Sequence, residues 1–195
     1  KSALPGVLYY YWVQGRVDRN DLKPGLWSEA VTGYRALPPT AGTQASDGAF
    51  ADKVRVTWSD TPGGPYYRVY RNTSATLTGA RAVSGGTQAL ACDDTVDLEA
   101  GVTYHYLVVS AANSRGELPS DPGAGDTGYR GLAPPVDVLA TKGTFCSSVG
   151  LSWNPGAPEA THYRVYRSQT NSAGTAQPVS GWQTASYYDD ASVLP

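Results

Sequence analysis

Leu98-Glu99-Ala100-Gly101-Val102-Thr103-Tyr104-His105-Tyr106-Leu107-Val108-Val109-Ser110-Ala111-Ala112-Asn113 decides the fold. Tyr104, Tyr106 and Val108 alternate with His105 and Leu107, the period of two expected of a β-strand with one face in a core. A glycine sits three residues before the first tyrosine, and Asn113-Ser114-Arg115-Gly116 supplies a turn after the strand. The same alternation recurs in Val54, Val56 and Trp58, and in Tyr67 and Val69. Thr61-Pro62-Gly63-Gly64-Pro65 and Ser84-Gly85-Gly86 break the chain between strands, and no window carries a 3.6-residue apolar stripe. Short strands at this spacing predict an all-β antiparallel sandwich of about 95 residues.

Working outward, the pattern repeats. Gly101-Val102-Thr103-Tyr104-His105-Tyr106 matches Gly6-Val7-Leu8-Tyr9-Tyr10-Tyr11, 95 residues earlier. Val56-Thr57-Trp58-Ser59 returns as Leu151-Ser152-Trp153-Asn154, and Thr32-Gly33-Tyr34-Arg35 as Thr127-Gly128-Tyr129-Arg130. Tyr67-Arg68-Val69-Tyr70-Arg71 returns as Tyr163-Arg164-Val165-Tyr166-Arg167, and Asp93-Asp94 as Asp189-Asp190, now offset by 96. A chance repeat would not hold its offset to within one residue.

These residues resemble a fibronectin type III domain. Trp58 in the second strand, Tyr67 and Val69 in the third, and Leu98, Gly101, Tyr104, Tyr106, Val108, Ala111 and Asn113 around the sixth carry the likeness. Trp153, Tyr163 and Val165 carry it in a later copy, and Gly6, Tyr9, Tyr11 and Val13 in an earlier one. The resemblance implies tandem immunoglobulin-like sandwiches, with Trp58 and Trp153 in cores. It also implies that the hydroxyls of Tyr9 and Tyr104 hold the chain that enters strand F. No Arg-Gly-Asp sequence supports the integrin-binding form of the family. The fold itself says little about function.

The module boundaries are unusual. Residues 36–130 make one complete module, residues 1–35 contain only strands F and G, and residues 131–195 only strands A to E. The two pieces together approach one repeat, and Ala3-Leu4-Pro5 resembles Val193-Leu194-Pro195. One module therefore reads as split between the two chain ends. Half a sandwich leaves an apolar face and a strand edge uncovered, so Trp153, Tyr163 and Val165 are expected to be exposed at one end. Tyr9, Tyr11 and Val13 are expected to be exposed at the other.

Closure within one chain fails on reach. The poles of a module lie roughly 30–35 Å apart at ~3.3 Å per residue. The link from Ser28 to Leu37 spans about 30 Å fully extended, well short of two module lengths. Pairing between chains, head to tail, then builds a filament or a ring. Two function classes follow. One is a structural subunit of an extracellular filament or surface appendage, a homopolymer of copies of itself whose assembly interface is Tyr9, Tyr11, Val13, Trp153, Tyr163 and Val165. The other is a spacer or binding array within a larger adhesin or secreted hydrolase, the boundaries then coming from a longer tandem product. Pro38-Pro39 and Pro134-Pro135 stiffen the joints in either case.

Composition limits the chemistry. The 195 residues carry a net charge of -2, which gives no basic footprint for nucleic acid. No run approaches the ~18 apolar residues of a membrane span. With no initiator Met and no signal peptide, the chain reads as a piece of a longer gene product, extracellular or at the cell surface. No catalytic constellation is expected, so no enzyme, and no cofactor. Asp93-Asp94 and Asp189-Asp190 could hold calcium but read more readily as solvated turn formers. His105 and His162 each lack a second ligand nearby in sequence, so no metal site is assigned. Asn72-Thr73-Ser74 fits a glycosylation sequon. Tyr10, Trp12, Trp27, Tyr70 and Tyr166 are expected on the surface, as packing pairs or a ligand platform. Cys92 and Cys146 fall in consecutive modules, too far apart for an internal bridge. They are either two buried free thiols or an intermolecular disulfide between chains lying side by side.

Overall fold

The computed structural model describes residues 2–17, 19 and 24–192. Val193-Leu194-Pro195, expected to fall just before the sixth strand of the last module, lies outside them. The chain divides into two compact units, Lys1–Arg130 and Gly131–Pro195. Among the described residues, every pairing between strands is antiparallel, and the one helical element is a turn of 3-10 helix at Ala173–Thr175.

The first unit opens with a hairpin. Strands β1 (Leu8–Tyr11) and β2 (Val31–Tyr34) pair with Tyr9 opposite Gly33 and Tyr11 opposite Val31. Seven further strands form a sandwich: β3 (Gln44–Ala45), β4 (Val54–Thr57), β5 (Tyr66–Asn72), β6 (Arg81–Ala82), β7 (Ala91–Asp94), β8 (Tyr104–Ala111) and β9 (Asp126–Gly128). One sheet has the order β3-β4-β7 and the other β6-β5-β8-β9. This is the three-plus-four strand order of a fibronectin type III-like sandwich. Val54, Val56, Trp58, Tyr67, Val69, Tyr104, Tyr106 and Val108 form its core, and the alternation read from the sequence fixes that inward face.

The chain entering β8 is held by a tyrosine corner. The Glu99 N–H donates to the Tyr104 hydroxyl (3.3 Å), and the Gly101 N–H donates to the Arg130 carbonyl (3.0 Å). The hairpin repeats both bonds: Leu4 N–H to the Tyr9 hydroxyl at 3.0 Å, and Gly6 N–H to the Arg35 carbonyl at 2.9 Å. Gly6 and Gly101 turn the chain at φ +68° and +73°, a region that disfavours a Cβ. The register repeats as well. Tyr104 faces Gly128, as Tyr9 faces Gly33 one 95-residue period earlier.

The second unit holds β10 (Val136–Ala140), β11 (Val149–Asn154), β12 (Tyr166–Arg167), β13 (Gln177–Pro178) and β14 (Tyr187–Asp190). Its sheets are β10-β11-β14 and β12-β13. Ala140 opposite Leu151 repeats Ala45 opposite Val56. Val149 opposite Asp190 repeats Val54 opposite Asp94, and Tyr166 opposite Pro178 repeats Tyr70 opposite Ala82. The unit thus reproduces, pair for pair, the first five strands of the sandwich beside it in sequence.

Candidate assembly surface

The complete sandwich shows how strand F fills a module. β8 lies along β5, with Val108 opposite Val69 and Tyr106 opposite Arg71. Tyr104, Tyr106 and Val108 thereby enter the core against Val56, Trp58, Tyr67 and Val69. The Trp58 and Tyr67 rings meet at 5.6 Å. One buried polar group is built into this contact. Arg71 donates to the Asp94 carboxylate at 2.7 Å, the Tyr106 hydroxyl donates to the same oxygen at 3.1 Å, and the guanidinium stands 4.7 Å from the Tyr104 ring centre. Burial, and then the Asp94 charge, push the Tyr106 hydroxyl well above the usual tyrosine range.

Asp93-Asp94 is therefore neither a calcium site nor a solvated turn. Asp93 lies on β7 and accepts from Lys53 (2.7 Å) and Arg55 (2.8 Å). The Lys53 hydrogen bond, more than Arg55, holds its carboxyl below the usual range. Asp94 is buried against Arg71. Sequence reading missed this pair. The available signal was that Arg71 and Asp94 recur together, as Arg167 and Asp190, at one common offset.

In the second unit the same positions frame an open cleft of about 430 Å³, lined by Leu151, Trp153, Tyr163, Val165, Tyr166 and Trp182 among others. Leu151 and Val165 are half-buried, where their counterparts Val56 and Val69 are sealed. The expectation that Trp153 and Tyr163 are exposed is corrected here. They are only 7% and 8% exposed, and their rings pack on each other at 5.6 Å. Among the described residues, β12 pairs with β13 alone, so its other edge has no ladder partner. Asp190 is buried and accepts from Arg167 at 2.7 Å and from the Ser192 hydroxyl at 2.6 Å. Ser192, more than Arg167, keeps its carboxyl below the usual range. The Arg167 side chain is 43% exposed, whereas that of Arg71 is 7% exposed.

The hairpin shows the reverse deficit. Tyr11 is 47% exposed and Val13 71%, against 0% for Tyr106 and Val108 one period later, and Tyr9 is half-buried. Tyr10 and Trp12 stack at 6.3 Å and are exposed, as are Trp27 and Tyr166. Tyr70 is half-buried, flanked by Ala82 on β6 and Leu107 on β8, the second of which Tyr166 lacks among the described residues. Of the six residues expected at an assembly interface, Tyr9, Tyr11 and Val13 belong to the first unit, and Trp153, Tyr163 and Val165 to the second.

Other polar candidates are accounted for locally. The Asn72 amide donates to the Thr76 and Thr78 carbonyls, closing its own loop. The His162 ring meets the Thr161 hydroxyl at 2.9 Å. Among the described residues, no group of three His, Cys, Asp or Glu converges as metal ligands, and no helix is long and apolar enough to cross a membrane. Both cysteines are free. Two buried thiols are not what the structure holds, since Cys146 is exposed and only Cys92 is half-buried on the core edge. Burial, then Asp94 and Asp93, raise the Cys92 thiol and keep it protonated. Ellman's reagent should therefore titrate one fast and one slow thiol. Mild oxidation should yield at most a dimer on a non-reducing gel, and a reducible ladder would show that both thiols cross-link.

No protein-family profile matches the chain, and no curated protein does. Several solved structures are similar in fold. A Fn3-like protein from Clostridium thermocellum is 19% identical, covering 51% of this chain and 98% of its own, with a TM-score of 0.42. The FN1–FN3 domains of chicken CNTN1 are 18% identical over 89% of this chain and 63% of theirs, at 0.38. The chicken interferon gamma receptor alpha chain is 14% identical over 82% and 84%, at 0.47.

Proposed function

We propose that this chain is a structural, non-catalytic β-sandwich element that associates head to tail outside the cell. In this reading the hairpin at residues 4–35 completes the half-module at residues 131–192 of another copy by strand addition. One observation carries the reading. The hairpin has the register and tyrosine corner of β8–β9, and its exposed residues are those that β8 buries. The half-module has the registers of β3–β7, and its cleft is framed by the residues that β8 covers in the complete sandwich. Each piece supplies what the other lacks.

Negative-stain microscopy and sedimentation of the purified chain test it. Filaments or rings are expected, with an axial repeat of about two module lengths, ~60–75 Å from the strand rise. Deleting residues 1–30 should leave particles that do not polymerise. Polymers of undiminished length from that deletion would end the proposal, as would a wild-type chain that stays monomeric at high concentration.

A further inference from the structure

We infer that the joint between two copies is registered by a polar lock: Tyr11 of one copy donates its hydroxyl to Asp190 of the next, beside Arg167, and Tyr9 stacks on that guanidinium. The inference rests on the strand-addition reading above and assigns it a register and a recognition chemistry.

The complete sandwich supplies the pattern. There the Asp94 carboxylate oxygen that accepts from Arg71 also accepts from Tyr106, and Tyr104 lies on the guanidinium. In the second unit, the Asp190 oxygen that accepts from Arg167 has that one donor among the described residues. Its remaining lone pair belongs to a carboxylate already removed from water, and a buried charge lacking part of its hydrogen bonding is costly. The Arg167 side chain is 43% exposed and no ring among the described residues covers it, whereas Tyr104 covers Arg71. The hairpin carries the matching groups. Tyr11 stands one 95-residue period before Tyr106, and its hydroxyl has no hydrogen-bond partner among the described residues. Tyr9 stands one period before Tyr104. An acceptor short of a donor, a cation short of a ring, and a tyrosine pair at the right spacing identify the occupant as the hairpin of a second copy.

Register follows from the same correspondence. Val108 opposite Val69 and Tyr106 opposite Arg71 become Val13 opposite Val165 and Tyr11 opposite Arg167. A slip of one residue would turn Tyr11 and Val13 to the outer face. A slip of two would set Val13 or Tyr9 against Arg167, leaving Asp190 without its donor.

Equilibrium sedimentation of the full chain tests the lock. The wild type should self-associate, and Val13→Asp should abolish association. Tyr11→Phe should weaken it roughly tenfold or more, the scale of one hydrogen bond to a charged group. Tyr10→Phe, on the opposite face of the strand, should leave it unchanged. In an Asp190→Asn background, the Tyr11→Phe effect should shrink to a few-fold. Tyr11 and Val13 are exposed, so these substitutions leave the free chain folded. If Val13→Asp abolishes association while Tyr11→Phe binds within twofold of wild type, the lock is wrong and strand addition stands. A Tyr11→Phe effect that is the same with Asp190 or Asn at position 190 overturns the lock in the same way. If the wild type does not associate, or Val13→Asp associates undiminished, both proposals fall.

Discussion

Asp94→Ala is expected to remove roughly 3–5 kcal/mol from the complete sandwich, while the equivalent change Asp190→Ala removes about 1 kcal/mol from the second unit of the free chain. The two carboxylates hold the same place in the repeat and pair with equivalent arginines at the same distance, 2.7 Å. Their partners differ in access to water. Without Asp94, the Arg71 guanidinium is left charged beneath β8, and a buried ion deprived of its counter-ion is strongly destabilising. Without Asp190, Arg167 is already partly hydrated and behaves as one half of a surface pair. Hydrogen exchange across a urea series, read separately on peptides from β4–β8 and from β11–β14, distinguishes the two. Equal losses in both units would refute the difference.

The second large effect concerns the tryptophans. Trp58→Ala should cost the complete sandwich about 3–5 kcal/mol, from lost transfer energy and from a cavity that the surrounding core cannot close. Trp153→Ala removes the same ring against the same tyrosine neighbour, but beside a cleft that is already open. Tyr163 has room to collapse into the gap, so the intrinsic cost should fall below that of Trp58→Ala. The association measured by sedimentation should nevertheless drop strongly, because Trp153 frames the seat of the incoming strand. Trp58→Ala should instead leave association largely intact wherever the middle sandwich stays folded. Equal effects of the two substitutions on association would count against a joint at residues 131–192.

Much of this was legible in residue order alone. Alternation at Val54, Val56 and Trp58 fixes the inward face of β4, because a strand has only two faces. The resemblance to a fibronectin type III domain, carried in part by Gly6 and Tyr9 and again by Gly101 and Tyr104, implies both tyrosine corners, and the structure holds each glycine in the left-handed region. What residue types could not show is how two polar groups divide between core and solvent. Asp93 and Asp94 are neighbours of one type, yet strand alternation sends one to a lysine at the surface and the other to an arginine in the core. The burial of Trp153 and Tyr163 was hidden for a different reason: the two rings can shield each other without strand F, and pattern reading treats the missing strand as their sole cover. The exposure of Cys146 depends on the loop before β11, whose sequence carries no periodicity.

The register and tyrosine corner shared by the two hairpins also bear on how the chain acquires its native pairing. Within one chain the link from Gly128 to Val136 spans less than ~30 Å, too short to bring β8–β9 back across the half-module at residues 131–192. Before it docks on its own module, β8–β9 could instead capture the cleft of a neighbouring copy, the misassembly to which similar tandem modules are prone. Edge length does not separate the two sites: β5 pairs two residues with β6 as β12 does with β13, and its seven-residue ladder exists only through β8. What favours the native pairing is the tether, since closing a loop within one module outcompetes capture by a separate molecule when the chain is dilute. Concentration, more than strand length, thus sets which pairing forms.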